Sequence, residues 1–370
     1  GLVGAEMCIR DRLKRLEDEL IEELSRIAHE EKTRENCDKV FLLGVDYDPD
    51  LNMAVIKLYD VVHGQVFLMH DRTGHRPYFL TDLEADEVKR KATQYGAVQS
   101  IVDIVEVEKY NSLLDCKIKL NKVIVKTPQD VGGYAGRRGL RSILGEEHAW
   151  EARIKYYLCY LYDNTNLWPS ALYKLQNGEL KLLKEGDIED VFRVIDKRFS
   201  QLVTKYVPIL MQEIPKIRFY AMDIEAGSSP EKMPDAKDPR EPIISVSLVW
   251  YNLESDTFDG EVYLLNWRKV RSKGYGDIRI IGENPGYKIG EIELKGRRIR
   301  VYLFETEKML LLSLFKKLWH VPVLVTFNGD NFDLNYMFAR ARHIGIDRKL
   351  IPFTVKKTAD LVLSELKVGI

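Results

Sequence analysis

Phe219-Tyr220-Ala221-Met222-Asp223-Ile224-Glu225 is an apolar run that ends in two carboxylates two residues apart. Side chains of an extended strand alternate between its faces, so Asp223 and Glu225 project to one side and Tyr220, Met222 and Ile224 to the other. Two neighbouring acids repel, and the run offers no cation to relieve them. The pattern is costly unless a divalent cation or a proton sits between the carboxylates. A strand that has merely reached solvent shows the same D-x-E, so the rest of the chain has to decide.

The deciding stretch is Asn328-Gly329-Asp330-Asn331-Phe332-Asp333. It follows the apolar run Val321 to Phe327, which predicts a strand buried on both faces, and it precedes a predicted helix from Phe332 to His343. Ligand sites of open α/β sheets gather at the carboxyl ends of strands. One of Asp330 and Asp333 suits the helix N-terminus through its dipole. The other, in the first turn and facing back to the sheet, is placed to approach Asp223 and Glu225. Three converging carboxylates are hard oxygen ligands for divalent cations. Two such cations, about 3.5–4 Å apart, activate water and steady the leaving oxygen in phosphodiester hydrolysis.

The 370 residues suffice for two or three domains, and a composition of 45% hydrophobic and 31% charged residues is that of a soluble globular protein. With a net charge of −1 the chain is not a globally basic nucleic-acid binder, so any such contact falls to local patches or to acid-bound metals. Cys8, Cys37, Cys116 and Cys159 form no C-x-x-C pair, which argues against a zinc site or disulfide framework and for a reducing, cytoplasmic compartment. No apolar run approaches the roughly 18 residues that span a bilayer.

Along the chain, Gly1 to Arg12 reads as a translated sequencing adapter and is set aside. Residues 13–36 form a charged helix whose stripe Leu13, Leu16, Leu20, Leu24 and Ile27 predicts packing on a neighbouring domain. Residues 37–207 form a mixed domain with several antiparallel strands: Val40 to Tyr47, then Met53 to Val62 turning at His63-Gly64 into Gln65 to His70, with later strands at Val98 to Glu108 and Leu114 to Val125. Helices are predicted for Asp82 to Gln94, Trp150 to Asp163 and Asp187 to Tyr206. Gly132 to Arg141 reads as a solvated loop carrying Arg137, Arg138 and Arg141, and its glycines fit no phosphate-binding loop. Pro208 to Pro215 reads as a linker. Residues 208–370 form the second domain, with strands, a glycine-rich basic stretch from Arg268 to Lys295, and a helix capped by Thr306. The fold class is α/β (α+β), a mixed sheet with helices packed on it.

FYAMDIEAG resembles the first exonuclease motif of family B DNA polymerases, and LVTFNGDNFDLNYMFARA the second; FETEKML and EPIISVSL fit the same family. DRTGHRPYFLTDLEADEV and YLYDNTNLWPSALY resemble the amino-terminal domain of archaeal members, of crenarchaeal and thaumarchaeal type. The resemblance covers nearly everything after the first twelve residues. It implies an amino-terminal domain followed by a 3′–5′ proofreading exonuclease of ribonuclease-H-like fold. By it, Asp223, Glu225 and Asp333 match the catalytic, metal-binding carboxylates, serving two Mg2+ or Mn2+ ions. Asn328 and Phe332 match residues that hold the frayed 3′ strand, the ring by stacking on a base. Pro128, Gln129 and Val131 match a segment lining a template-uracil pocket, whose other wall, expected around Tyr156 to Asp163, does not match cleanly.

The implied partners are primer–template DNA, a single-stranded 3′ end and, for the full-length protein, a sliding clamp; no membrane is implied. The family's third exonuclease motif, a Tyr and an Asp three residues apart, and the polymerase carboxylates are expected beyond Ile370. The expectation is therefore the front part of a replicative DNA polymerase, with the chain inactive by itself. The alternatives are a stand-alone 3′–5′ exonuclease and a catalytically inactive DNA-binding scaffold.

Overall fold

The computed structural model describes residues 2–29, 34–48, 51–134, 136–163, 167–168, 170–183, 193–228, 234–252, 255–266, 277–329, 331–358 and 361–366, with the backbone alone for 2–10, 354–358 and 361–366. The chain divides into two compact units, one of Gly1–Lys32, Lys216–Lys356 and Leu361–Ile370, the other of Thr33–Pro215 and Lys357–Asp360. Asp330 and the basic cluster Arg268, Lys269, Arg271 and Lys273 lie outside the described residues, as does much of the helix expected from Asp187.

The opening helix α1 (Leu2–His29) belongs to the first unit. Its apolar stripe does what a 3.6-residue period predicts: Leu13, Leu16, Leu20, Leu24 and Ile27 pack on that unit's core.

In the second unit, β1 (Cys37–Asp48), β2 (Met53–Asp60) and β3 (Gln65–His70) form an antiparallel meander. Asp60 faces Gln65 across the His63-Gly64 turn, where Gly64 supplies a φ of 68°. A second sheet joins β4 (Tyr78–Thr81), β5 (Ile101–Asn111) and β6 (Cys116–Val125) in the order β4-β6-β5, with α2 (Ala85–Gln94) intervening in sequence. Thr127 to Gly132 is no simple loop. It is a short helix, α3 (Pro128–Gly132), closed by a capping box in which the Asp130 carboxylate accepts the Thr127 N–H at 2.9 Å.

The glycine-arginine stretch follows as a small hairpin of β7 (Gly133–Tyr134) and β8 (Arg137–Arg138), then α4 (Leu140–Leu144). Arg137 is engaged there, donating to Ser100 Oγ at 2.8 Å and lying 3.6 Å from Asp130. The helix expected from Trp150 begins only at Tyr156, as α5 (Tyr156–Asp163), because Trp150 exchanges both backbone hydrogen bonds with Leu80. β9 (Leu172–Gln176) and β10 (Glu179–Leu182) extend the first sheet, and Pro208 sits inside α6 (Ser200–Leu210).

The first unit is built on a seven-stranded mixed sheet, ordered β14-β15-β16-β13-β12-β11-β17. Its strands are β11 (Phe219–Ala226), β12 (Ile243–Asn252), β13 (Thr257–Leu265), β14 (Arg279–Asn284), β15 (Tyr287–Leu294), β16 (Arg297–Phe304) and β17 (Val323–Thr326). The glycine-rich basic stretch from Arg268 to Lys295 thus contains the β14–β15 hairpin. α7 (Glu307–Leu318) starts at Thr306, whose hydroxyl accepts the Met309 N–H at 3.2 Å, and it buries Leu311, Leu314, Phe315 and Leu318.

β17 corrects an expectation. It is the sheet's last strand and leaves Val325 exposed, where the apolar run had predicted burial on both faces. α8 (Asp333–His343) packs on the sheet, and a two-stranded ribbon of β18 (Phe353–Thr358) and β19 (Leu361–Leu366) follows. Among the described residues no helix is long and apolar enough to cross a membrane.

Candidate active site

The alternation read from the sequence is realised on β11. Tyr220, Met222 and Ile224 are buried in the core, while Asp223 and Glu225 are exposed on the opposite face. On one side β11 pairs antiparallel with β12, setting Asp223 opposite Ser247 and Glu225 opposite Ser245. On the other side it runs parallel to β17, with Met222 level with Thr326. Parallel pairing brings the carboxyl ends of β11 and β17 to the same edge of the sheet, so Asp223 lies level with the residue where β17 gives way to the turn into α8.

That turn is tightly made. Asn328 has a φ of 57°, and its carbonyl accepts the N–H groups of Asn331 and Phe332 at 3.0 and 3.2 Å. Its side-chain carbonyl accepts from the Asn331 amide. Gly329 is required at the next position, because a Cβ there would come within 2.1 Å of Thr326 Oγ1. Phe332 is half-buried and stacks on Tyr336, with ring centroids 5.5 Å apart. Phe327, level with Asp223, is 94% exposed. The sequence gives no sign of it, since Phe327 reads there as the last residue of a buried apolar run.

Asp333, the first residue of α8, is 5% exposed, and its Oδ2 has no hydrogen-bond partner. Burial, and then the negative charge of Asp223, push its carboxyl up to about 6. Asp223 and Asp333 are therefore close enough to repel. A buried carboxylate oxygen without a partner, facing a second carboxylate, has the donor chemistry a hard divalent cation takes. Among the described residues, no group of three or more His, Cys, Asp or Glu is drawn together into a ready ligand set. The charge of Asp223 acts on Asp333, with Glu225 one pleat further along the strand.

A family model for "DNA polymerase family B, exonuclease domain" matches residues 147–360, more than half of the chain. The chain belongs to the family B DNA polymerases. Membership carries with it the general expectation of a divalent metal cofactor for the exonuclease domain. Relatives named DNA polymerase 1 match over most of the chain: that of Sulfolobus acidocaldarius is 33% identical over 88% of it and 34% of the relative. That of Saccharolobus solfataricus is 34% identical over 85% of the chain and 33% of the relative. The chain thus spans about a third of the length of these curated relatives. The solved structure of the family B DNA polymerase from Pyrobaculum calidifontis matches 87% of this chain and 35% of its own, with a TM-score of 0.47 and 18% identity.

The remaining candidates lie in the other unit. Pro128, Gln129 and Val131 sit together on α3, where Val131 is committed to a core with Val123, Val125 and Leu140 and Gln129 is exposed. On α5, Tyr156 donates to the His75 carbonyl at 3.1 Å, and Asp163 lies 2.9 Å from His75 Nε2.

Proposed function

We propose that this chain carries the carboxylate site of a metal-dependent 3′–5′ exonuclease, which in a full-length protein serves a replicative DNA polymerase. The observation that carries the reading is the buried Asp333 carboxylate, its Oδ2 without a partner, set against Asp223 where two parallel strands end. In metal-free protein that arrangement is a net cost, and it becomes favourable when a cation is present. Asp223, Glu225 and Asp333 would hold Mg2+ or Mn2+, two per site. Such ions supply charge neutralisation at the attacked phosphodiester and activation of water.

The substrate is the single-stranded 3′ end of DNA. Asn328, exposed at the turn, would hold its backbone, and Phe332 would offer a ring edge to the terminal base. The neighbouring Phe327 supplies a fully accessible ring on the same edge of the sheet. A DNA primer–template and a sliding clamp are the partners proposed for the full-length protein. Pro128, Gln129 and Val131 are proposed, by resemblance, to face a template uracil, with Val131 acting through packing.

Mn2+ titration of the chain, followed by calorimetry, tests the reading. Saturable binding that disappears in Asp223→Ala supports it, and binding indifferent to that substitution overturns it.

A further inference from the structure

Asp333, Tyr336 and Arg340 recur at three- and four-residue steps on α8 and so share one face of the helix. Asp333 belongs to the carboxylate site. The other two hold backbone on the far side of it. Arg340 donates through Nη1 to the carbonyls of Pro239 and Arg240, at 2.9 and 2.8 Å. Through Nε and Nη2 it forms a fork on the Glu307 carboxylate, with Nη2 to Oε2 at 2.6 Å. The Tyr336 hydroxyl donates to the Glu241 carbonyl at 2.7 Å. Glu307 Oε1 also accepts the Ile243 N–H at 2.7 Å.

Those contacts end where β11 ends. Ile243 opens β12 and pairs with Ala226, and the register slips between Glu225 and Ala226. Immediately beyond, Gly227 donates its N–H to the Pro242 carbonyl at 2.7 Å. Residues 239–243 are therefore fastened on one side to the strand bearing Glu225 and on the other to the helix bearing Asp333.

We propose that the Glu307–Arg340 pair, completed by Tyr336, is a positioning device that sets the spacing between the Glu225 end of β11 and Asp333. The proposal rests on the exonuclease reading above. Arg340 and Glu307 bond to each other and to the backbone of Pro239, Arg240 and Ile243, and they act through residues 239–243. Stability alone is a poor reason for such a pair, since well-packed apolar residues replace a buried ion pair at little cost or with a gain. A planar fork that fixes two carbonyls and one carboxylate provides direction, which apolar packing does not.

The test uses the whole chain without metal and then with Mn2+. The double variant Glu307→Leu/Arg340→Met removes the pair without leaving a lone buried charge, and Tyr336→Phe removes a single hydroxyl as the milder probe. In both, the amides of Arg240, Glu241 and Ile243 exchange faster with deuterium than in the parent. Mn2+ affinity falls by roughly 10-fold or more in the double variant, the scale found when groups that orient metal ligands are removed, and by less in Tyr336→Phe. A purely structural pair would instead lower the melting temperature and leave the Mn2+ affinity of the folded protein unchanged, and that result in either variant overturns the proposal. Asp223→Ala is the control. If it leaves Mn2+ binding intact, the exonuclease reading falls and this proposal with it. If it abolishes binding while either variant binds as the parent does, only the proposal falls.

Discussion

Replacing Asp333 with Asn should stabilise the metal-free chain at neutral pH. In the folded protein the carboxyl titrates at about 6 instead of the ordinary 3.8, through burial and the charge of Asp223. Taken in full, that rise corresponds to a penalty of about 3 kcal/mol for the ionised form. Solvent reaching the exposed Asp223 screens its share, and the variant forfeits a favourable charge at the α8 N-terminus of about 0.3–1 kcal/mol. The net gain expected above pH 7 is therefore ~1 kcal/mol, or about 2–4 °C in melting temperature for a unit of this size.

The sign follows from linkage. An acid whose folded pKa is raised binds its proton more tightly when folded, so wild type loses stability as pH rises from about 4 to about 6, and is level above that. Asp333→Asn lacks this loss. Its advantage should be absent at pH 3.5, grow between pH 4 and 6, and hold constant beyond. Thermal melts at half-unit pH steps measure it, and millimolar Mn2+ should reverse the order by stabilising wild type alone. A variant less stable than wild type at pH 7.5 without metal, or a gain that does not change with pH, refutes the reasoning.

Gly329→Ala should destabilise the chain by ~1–3 kcal/mol in denaturant melts, because the new methyl meets Thr326 and the turn has to shift. Thr306→Ala removes the cap of α7 and also the hydroxyl that donates to Glu17 of α1 at 2.7 Å, so a loss of about 1–2 kcal/mol is expected in the same melts. Phe327→Ala should leave the melting temperature unchanged and weaken binding of a short single-stranded DNA, measured by fluorescence anisotropy, by ~1–2 kcal/mol, the value of one stacked base.

The sequence was most informative where one local rule sufficed. The period of two in Phe219 to Glu225 gave the buried and exposed faces of β11, and Thr306 marked the start of α7. The β2–β3 turn was legible from His63-Gly64, and the leucine stripe of α1 found the core it predicted.

Other features depend on position in the sheet, which composition does not encode. Val321 to Phe327 is apolar enough for a central strand, yet β17 is the edge, and Val325 and Phe327 face out. Arg268 to Lys295 reads as a glycine-rich basic stretch, yet Gly286 turns a hairpin of β14 and β15 within it, with a register slip between Ile280 and Gly282. Thr127-x-x-Asp130 has the spacing of a capping box, and the Pro-Gln-Asp-Val run is the start of the short helix it closes. At the site, the motif pointed to Asp223, Glu225 and Asp333, but the burial of Asp333 and its repulsion by Asp223 arise from the parallel pairing of β11 with β17. Likewise, nothing local to Arg340 announces that it holds residues nearly a hundred positions away.

The role proposed for Asp223 and Glu225 is 3′-end hydrolysis within a polymerase. Its most direct test is a paired assay on a full-length protein containing this chain, comparing wild type with Asp223→Ala/Glu225→Ala. One arm follows shortening of a labelled single-stranded DNA from its 3′ end, the other nucleotide incorporation on a primed template. Digestion is expected to fall by roughly 1,000-fold or more, the order of magnitude set by removing catalytic groups, while incorporation stays within about twofold. Digestion that survives the double substitution would contradict it.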